Sequence, residues 1–533
     1  MEIEKLLTDE SLDFARRHLT SYYDTDFFPK PYEFSAIWHK WDELKGLPRK
    51  ELLALIPPIT IPWKKSKGGF RIVHQLDPLD AIVYTAATYS VAEDIEKSRK
   101  IQSESIACSY RIKLDGNGFF KSGSGFEVYR ARCEELAERY DYVLTTDISD
   151  FYNKIYLHRL ENAISTATGS SKGKSFEKFL MALNTNNSQG IPVGPAASIL
   201  MSEATLIDVD DFIAHRSFSH VRYVDDIRIF ANTEHELDIL LQELTLYLHQ
   251  THRLGLVADK TKIIESQAFL QQELNNQYQL EKLEILETIE TSNPYTFDET
   301  GKNDNQQDEA NSAEEIGAKL LDALIRIQKY DYLDLALARA ILRRARAGKV
   351  FDIAKFLLNN LRYFRAVVND VVLYLEAVTN DENIPILIPL LIEVALSGDF
   401  EDKAINEWFS WYISNHRKLL EVKELRFVFS NSSRLSYAAR AAVNFKNLSW
   451  VRERKESLLN RTNWDRRAII YASQLMSDDE KRKWLEPLKK KFNVSLLDKW
   501  MIDWVLAGVP ETPPLPIPDT SIEDLEWLDD LVF

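Results

Sequence analysis

The pattern of apolar and polar residues divides the chain into a mixed first half and a helical second half. Short runs of β-branched and aromatic residues at 56–74, 142–147, 222–230 and 256–264 predict strands, and helical periodicity fills the stretches between them. From 316 to about 508 the apolar residues recur with a helical period, and breaks fall roughly every 20 to 50 residues. The pattern predicts an α+β region followed by an all-α helical-repeat (HEAT-like) domain, although no residue signature repeats.

Changes in composition predict five segments. The stretch 287–315 is rich in Glu, Asp, Asn, Gln and Thr and poor in apolar residues, so it cannot bury enough surface to order itself. We therefore expect an N-terminal extension (1–54), a mixed domain (55–286), an acidic polar linker (287–315), a helical domain (316–509) and an acidic, proline-containing tail (510–533).

The composition and the N-terminal sequence indicate the cellular compartment of the protein. Two cysteines in 533 residues exclude a disulfide framework and a cysteine-based zinc site, and favour a reducing cytoplasm. The N-terminus lacks the basic and apolar regions of a signal peptide. The most apolar window, 384–396, is shorter than the roughly 20 residues of a membrane helix and contains two prolines and a glutamate. We expect a cytoplasmic protein with no membrane partner and a buried helix at 384–396.

Two acidic motifs are candidates for a site that binds divalent cations. Asp225 and Asp226 stand between two strand-forming runs, which predicts a hairpin with paired carboxylates at its tip. Asp147 ends an apolar strand. Neighbouring carboxylates repel each other, so a fold that holds them together usually supplies divalent cations. A solvated turn is the alternative for the pair, and a helix N-cap is the alternative for Asp147 alone.

The order of motifs between about 55 and 265 resembles the fingers and palm of reverse transcriptases. A basic hairpin at 64–71 precedes the strand that ends at Asp147, and a Gly-Ile-Pro-Val-Gly turn at 190–194 precedes a helix. The Asp225-Asp226 hairpin and a segment bearing Lys260 follow. Each motif alone is weak, but their common order is specific.

The resemblance implies nucleotidyl transfer with two Mg²⁺ ions roughly 3.5–4 Å apart, with Mn²⁺ as an alternative. By the resemblance Asp147 and Asp225 are the principal metal ligands and catalytic residues. The Ile148 carbonyl is a further ligand, and Asp226 is a supporting acid of the same catalytic metal site. Mg²⁺ prefers the hard oxygen ligands that such residues provide.

The same resemblance assigns nucleotide-binding residues. Tyr152 matches the aromatic gate that packs against the sugar and favours deoxynucleotides, and a core aromatic is the alternative. Lys64 or Lys65, together with Arg71, match the fingers residues that bind the incoming triphosphate, and a solvated basic hairpin is the alternative. Lys260 falls where the family places a lysine near the leaving pyrophosphate.

One departure points to a subfamily. Many template-copying relatives carry Gln before the second glycine of the turn, where this chain has Val193. Abortive-infection and related phage-defence reverse transcriptases are similar in this turn, in Ser198 and Glu203, in the Tyr-Val-Asp-Asp hairpin and in a helical region after the palm. That resemblance implies an antiviral polymerase that is protein-primed and adds deoxynucleotides without a template.

Protein priming requires an accessible hydroxyl and would leave the single-stranded DNA product covalently attached. The candidate priming residues are tyrosines in the N-terminal extension and the helical domain: Tyr22, Tyr23, Tyr330, Tyr332 and Tyr437. Half-buried packing is the alternative for each.

Two other functions stay open. One is a template-dependent, RNA-directed DNA polymerase of a retron or intron, which would bind RNA. The other is a catalytically silent helical-repeat scaffold. The net charge of -16 favours the untemplated enzyme over the retroelement enzyme, because an enzyme that grips a long RNA normally shows a basic face. Large helical surfaces are compatible with a homo-oligomer.

Overall fold

The computed structural model describes residues 2–21, 27–114, 116–121, 125–274, 278–279, 281–282, 284–285, 306–432, 434–491 and 493–511, with backbone alone at 306–314. Tyr22 and Tyr23, two of the candidate priming residues, lie outside the described residues. So do residue 286, 287–305 of the predicted linker and 512–533 of the predicted tail.

The first part of the chain contains helices α1 (Asp9–Ser21), α2 (Glu33–His39) and α3 (Trp41–Gly46). An antiparallel hairpin follows, with strands β1 (Ile59–Lys64) and β2 (Phe70–Gln75), as predicted. Helix α4 (Pro78–Ser98) then begins at Asp77, whose side chain accepts a hydrogen bond from the Leu79 N–H.

The palm is a four-stranded antiparallel sheet in the order β4-β5-β3-β6. Its strands are β3 (Tyr142–Asp147), β4 (Ser219–Tyr223), β5 (Asp226–Ala231) and β6 (Lys262–Glu265). Strand β3 is one of the two inner strands, and Asp147 at its end pairs in register with Asp226 at the start of β5. The register therefore brings the acidic motifs to one end of the sheet.

Helices precede, connect and follow the strands of the palm sheet. They are α5 (Phe126–Arg139), α6 (Phe151–Lys154), α7 (Leu157–Thr168), α8 (Lys172–Leu183), α9 (Ala196–Thr205), α10 (Ile207–Ala214), α11 (Glu234–Tyr247) and α12 (Ser266–Phe269). The helix that the sequence predicts after the turn at 190–194 is in fact two helices that meet at Leu206. The strand predicted over 256–264 was too long, because a 3₁₀ turn at Ala258–Lys260 precedes β6.

The C-terminal half is helical throughout its described residues. Its helices are α13 (Gln306–Gln328), α14 (Leu335–Ala347), α15 (Ala354–Asn359), α16 (Leu361–Phe364), α17 (Val368–Val378), α18 (Ile384–Leu396), α19 (Lys403–Asn415), α20 (Arg417–Leu420), α21 (Ser436–Asn444), α22 (Leu448–Arg452), α23 (Asn463–Ala472), α24 (Asp478–Leu488) and α25 (Leu496–Leu506). Helix α13 begins inside the predicted linker.

Six of these helices form a row in which each packs on the next: α14, α17, α19, α21, α23 and α25. Helix α25 then packs on α2 of the N-terminal extension, so the row returns to the first half of the chain. The row is compatible with the predicted HEAT-like repeat, which stays a prediction.

Buried polar contacts join the helical domain to the fingers. The Trp63 indole N–H of β1 donates to the Ala366 carbonyl at 2.9 Å. The Arg467 guanidinium of α23 pairs with Asp77 at 2.7 Å, and both side chains are buried. Because a buried charge that loses its partner is costly, these contacts fix the helical domain against the fingers.

Helix α18 coincides with the most apolar window, but it is not fully buried as the sequence predicted. Leu387 and Leu391 are buried, whereas Ile386 and Leu396 are 53% and 76% exposed. The helix therefore buries one face. Within the described parts of the chain, no helix is both long enough and apolar enough to cross a membrane.

Candidate active site

Asp147 ends the inner strand β3 of the palm and is 8% exposed. Its carboxylate forms an ion pair with the Lys260 ammonium, and its carbonyl accepts a hydrogen bond from the Val257 N–H at 2.9 Å. Burial raises the pKa of Asp147, while the hydrogen bond and charge of Lys260 act in the opposite direction. The Lys260 ammonium therefore contacts Asp147, one of the predicted metal ligands.

Asp225 lies at the tip of the hairpin between β4 and β5. Its carbonyl accepts a hydrogen bond from the Ile148 N–H at 3.3 Å, which ties the hairpin tip to the residue after β3. Burial, followed by the charges of Asp147 and Asp226, raises the pKa of Asp225 to about 7. The predicted acids therefore do share one electrostatic site.

Asp226 differs from the other two acids. Its carboxylate binds the Arg228 guanidinium in a two-pronged pair, with distances of 2.9 and 3.3 Å. This pairing satisfies the carboxylate within its own strand, which suits the predicted supporting role better than a role as a principal ligand.

The donor chemistry of the site fits a divalent cation. Asp147 and Asp225 supply hard carboxylate oxygens, and the raised pKa of Asp225 records negative charge that lacks sufficient compensation. In the described part of the chain, however, no three Asp, Glu, His or Cys side chains stand close enough to hold one metal ion together. The structure therefore places Asp147 and Asp225 at one end of the sheet, and the roles of Asp147, Ile148, Asp225 and Asp226 as metal ligands stay predictions.

The turn at 190–194 is tied to the helix that carries Tyr152. The Ile191 N–H donates to the Tyr152 carbonyl at 3.0 Å, and the Tyr152 hydroxyl, which is buried, accepts from Ser202 Oγ at 3.1 Å. Gly190 has φ of +90°, and an added Cβ would lie 3.1 Å from the Asn153 carbonyl oxygen. Tyr152 is thus packed as a core aromatic and lies beside the turn. This position is compatible with both predicted roles, the sugar gate and the core aromatic.

His74 was not recognised from the sequence, although it fixes the same turn. The His74 backbone N–H donates to the Val193 carbonyl at 2.9 Å. The Nδ1 atom of the His74 ring accepts from the Val193 N–H at 3.0 Å. Both backbone polar groups of Val193 are therefore bound by one residue of β2. No sequence motif marks a lone histidine in a strand, so only the tertiary contact shows this role.

The His74 contact should make stability depend on pH. Burial lowers the pKa of His74 to about 4, because desolvation disfavours the charged ring. The neutral ring is also the form that can accept the Val193 N–H. Its stabilising contribution is complete above the unfolded pKa of roughly 6.5 and is lost as the pH falls through 4. As the pH falls from 6.5 to 4, the free energy of unfolding of the wild type should fall by up to roughly 3 kcal/mol more than that of His74→Asn. The asparagine Oδ1 can accept the same hydrogen bond and does not titrate. Urea unfolding from pH 7.5 to 4 measures this difference.

A matched variant controls for general acid sensitivity. His235 is exposed, so His235→Asn should keep the pH dependence of the wild type. If His74→Asn and the wild type lose stability in parallel as the pH falls, the neutral acceptor role of His74 is wrong.

The predicted triphosphate residues lie on the fingers hairpin but on different faces. Lys64 and Lys65 flank its tip, and Lys64 Nζ lies 5.1 Å from the centroid of the Phe70 ring. Arg71 belongs to the buried face and is 9% exposed. Burial raises the pKa of Tyr152, and the charge of Arg71 acts weakly in the opposite direction.

The candidate priming tyrosines among the described residues differ in how far their side chains are exposed to solvent. Tyr437 is buried and hydrogen-bonds to Glu407, and Tyr330 donates to Glu281. Tyr332 is 41% exposed, and Lys67 Nζ of the fingers hairpin lies 5.2 Å from its ring centroid. Among the described candidates, Tyr332 therefore combines exposure with proximity to the fingers.

Comparison with known families agrees with this geometry. Residues 64–286 match the family described as "Reverse transcriptase (RNA-dependent DNA polymerase)". The chain contains a reverse transcriptase domain. The predicted reverse-transcriptase fold is confirmed, and with it the general class of polymerase, whereas membership of the defence subfamily stays a prediction. No curated protein matches the sequence.

Similar solved structures include telomerases from Candida species. That of Candida albicans in complex with a TWJ fragment of telomeric RNA is 11% identical, covering 74% of this chain and 70% of the other, with a TM-score of 0.29. The apo telomerase of Candida tropicalis is 11% identical, covering 71% and 73%, with a TM-score of 0.32.

Proposed function

We propose that the protein is an antiviral, protein-primed DNA polymerase that adds deoxynucleotides without a template. The observation that carries the proposal is the pair Asp147 and Asp225, held at one end of the palm sheet of a reverse transcriptase domain. The proposal includes single-stranded DNA as the product, a cytoplasmic location and assembly into a homo-oligomer.

The reaction joins a hydroxyl oxygen to the α-phosphorus of a deoxynucleoside triphosphate. The new P–O bond replaces the bond to pyrophosphate, which leaves, and the hydroxyl proton passes to the surrounding solvent. Asp147 and Asp225 would hold Mg²⁺ or Mn²⁺, which when bound activates the attacking oxygen and neutralises charge on the phosphates. Lys64, Lys65 and Arg71 would bind the triphosphate.

Two further residues would complete the nucleotide site. The ring of Tyr152 would pack against the sugar and disfavour a ribonucleotide. Lys260 would move from Asp147 to the leaving pyrophosphate when a cation binds the carboxylate, because its ammonium and the cation need the same oxygen atoms.

The absence of a template requirement is supported by Val193. Its side chain is apolar and 7% exposed, and both of its backbone polar groups are bound to His74. Residue 193 therefore offers no polar side-chain group to a nucleotide or a template base. The helical domain also packs against strand β1 of the fingers hairpin, where the Trp63 indole N–H donates to the Ala366 carbonyl.

Tyr332 is the priming residue that the described contacts favour. Its exposed ring adjoins the fingers, whereas Tyr330 and Tyr437 already donate their hydroxyl protons to carboxylates. The defining experiment incubates the protein with Mg²⁺ and labelled deoxynucleotides without nucleic acid, followed by denaturing gels before and after proteinase. Label should stay on the protein until proteinase is added.

Single substitutions then identify the priming residue. Tyr332→Phe should lower protein-bound label at least about 100-fold, because the attacking oxygen is missing. Tyr437→Phe removes a hydroxyl that is buried, so it should keep the label near the wild-type level if the protein remains folded. Unchanged labelling of Tyr332→Phe, with loss in Tyr22→Phe or Tyr23→Phe, would move priming to the N-terminal extension.

A template-dependent enzyme is the second candidate, and the family description, an RNA-dependent DNA polymerase, favours it. Product that forms only after RNA template and primer are added would support this function. Absence of product under both conditions, equal to an Asp225→Asn control, would support the silent scaffold.

A further inference from the structure

A buried polar network lies beneath the hairpin that carries Asp225. Glu203 of α9 is 1% exposed, and its carboxylate accepts hydrogen bonds from Arg99 at 2.8 Å, from Ser109 Oγ at 2.8 Å and from Arg222 at 3.1 and 3.3 Å. Arg222 also binds Asp210 at 2.8 and 2.9 Å. These contacts connect three separate parts of the domain to one carboxylate.

The segment that contains Ser109 runs along the outer side of β4. The Arg222 N–H donates to the Ile106 carbonyl at 2.7 Å, and the Cys108 N–H donates to the Arg222 carbonyl at 3.0 Å. The Arg99 guanidinium binds the Ser109 carbonyl at 2.7 Å. Ser109 is therefore held firmly on both sides and is fully buried.

The network ends on Val224, the residue directly before Asp225. The Val224 N–H donates to Ser109 Oγ at 2.9 Å, and its carbonyl accepts from Arg222 at 2.8 Å. Val224 has φ of +53°, in the left-handed region that a β-branched residue rarely adopts. Such a conformation costs on the order of 1–3 kcal/mol and persists only where its surroundings enforce it.

We propose that Ser109 is a positioning residue that holds Val224 in this conformation and thereby directs the Asp225 carboxylate toward Asp147. This inference rests on the proposed function. The backbone angles of Val224 determine where the next residue points, and the Ser109 hydroxyl fixes them by acting in two ways. It donates its proton to Glu203 and accepts the Val224 N–H. Serine and threonine can do both, whereas alanine can do neither.

The test compares Ser109→Ala and Ser109→Thr with Ser473→Ala in the full-length protein. Ser473 is also fully buried, and its hydroxyl donates to the Ile470 carbonyl at 2.6 Å, far along the chain from the hairpin. The measurements are kcat and KM for deoxynucleotide, Mn²⁺ affinity by electron paramagnetic resonance, and the urea unfolding midpoint.

Ser109→Ala should lower kcat about 10- to 100-fold and weaken Mn²⁺ binding about 10-fold, because misplaced ligand oxygens lose metal affinity. KM should change less than about threefold, since the nucleotide contacts lie on other elements. Ser109→Thr should restore most of both losses. Ser473→Ala should lower the urea unfolding midpoint about as much as Ser109→Ala does. Its kcat and Mn²⁺ affinity should stay at the wild-type values.

Wild-type kcat and Mn²⁺ affinity in Ser109→Ala would overturn the inference while leaving the proposed function intact. If the wild type makes no product, the proposed function fails, and the Mn²⁺ affinities of Ser109→Ala and Ser473→Ala still decide whether Ser109 positions the acid. If Ser109→Ala does not fold, Ser109→Cys replaces it. Its sulfur fills the space but is a poor acceptor, so the same losses are expected.

Discussion

Asp225→Asn should reduce deoxynucleotide incorporation at least about 10³-fold while making the metal-free protein more stable. An amide cannot replace a carboxylate that neutralises a divalent cation, and several kcal/mol of transition-state stabilisation depend on that charge. The variant also removes one of three acids that repel each other. Incorporation of labelled nucleotide and urea unfolding in the presence of a chelator measure the two effects.

The stability gain should depend on pH in a defined direction. Burial and neighbouring carboxylates raise the pKa of Asp225 to about 7, so its contribution to stability is complete at low pH and is lost as the pH rises through 7. Asparagine does not ionise. The variant should therefore exceed the wild type by about 1–3 kcal/mol at pH 8 and by much less at pH 5.

Two acids provide the controls. Asp226→Asn should lose less activity than Asp225→Asn, because the Asp226 carboxylate is already paired with Arg228. Asp238 is exposed on α11 and pairs with Gln242, so Asp238→Asn should match the wild type in incorporation. Full incorporation by Asp225→Asn would refute the proposed role of Asp225.

Arg222→Met should destabilise the reverse transcriptase domain by about 3–5 kcal/mol, measured by urea unfolding. The guanidinium is fully buried between Glu203 and Asp210, and methionine fills its volume without its charge. Two carboxylates would then share the remaining contacts with Arg99 and His220. An uncompensated buried charge costs more than the intact pair contributes.

An exposed arginine is the matched control for this substitution. Arg452 pairs with Glu480 at 2.8 Å, and its side chain is 54% exposed. Because water and salt screen such pairs, Arg452→Met should leave the unfolding midpoint unchanged within error. An equal, small effect of both substitutions would show that the network beneath the hairpin does not support the domain.

The local elements were well predicted where a short-range pattern determines them. The fingers hairpin and the strands around Asp147 and Asp225 follow from the alternation of apolar residues and from turn residues. Errors occurred where tertiary packing decides, as at the break between α9 and α10 or the 3₁₀ turn before β6. The partial exposure of α18 could not be predicted, because hydrophobicity does not show which face a neighbouring helix covers.

The sequence by itself determined the acids, their order along the chain and the reverse transcriptase domain, because these depend on residue identity and spacing. Only the tertiary structure decided how the acids are held. It placed Lys260 on Asp147, His74 on the turn at Val193, and Ser109 on the N–H of Val224. Each contact joins residues more than 100 positions apart. Such pairings are products of chain topology, and no local pattern in the sequence encodes them.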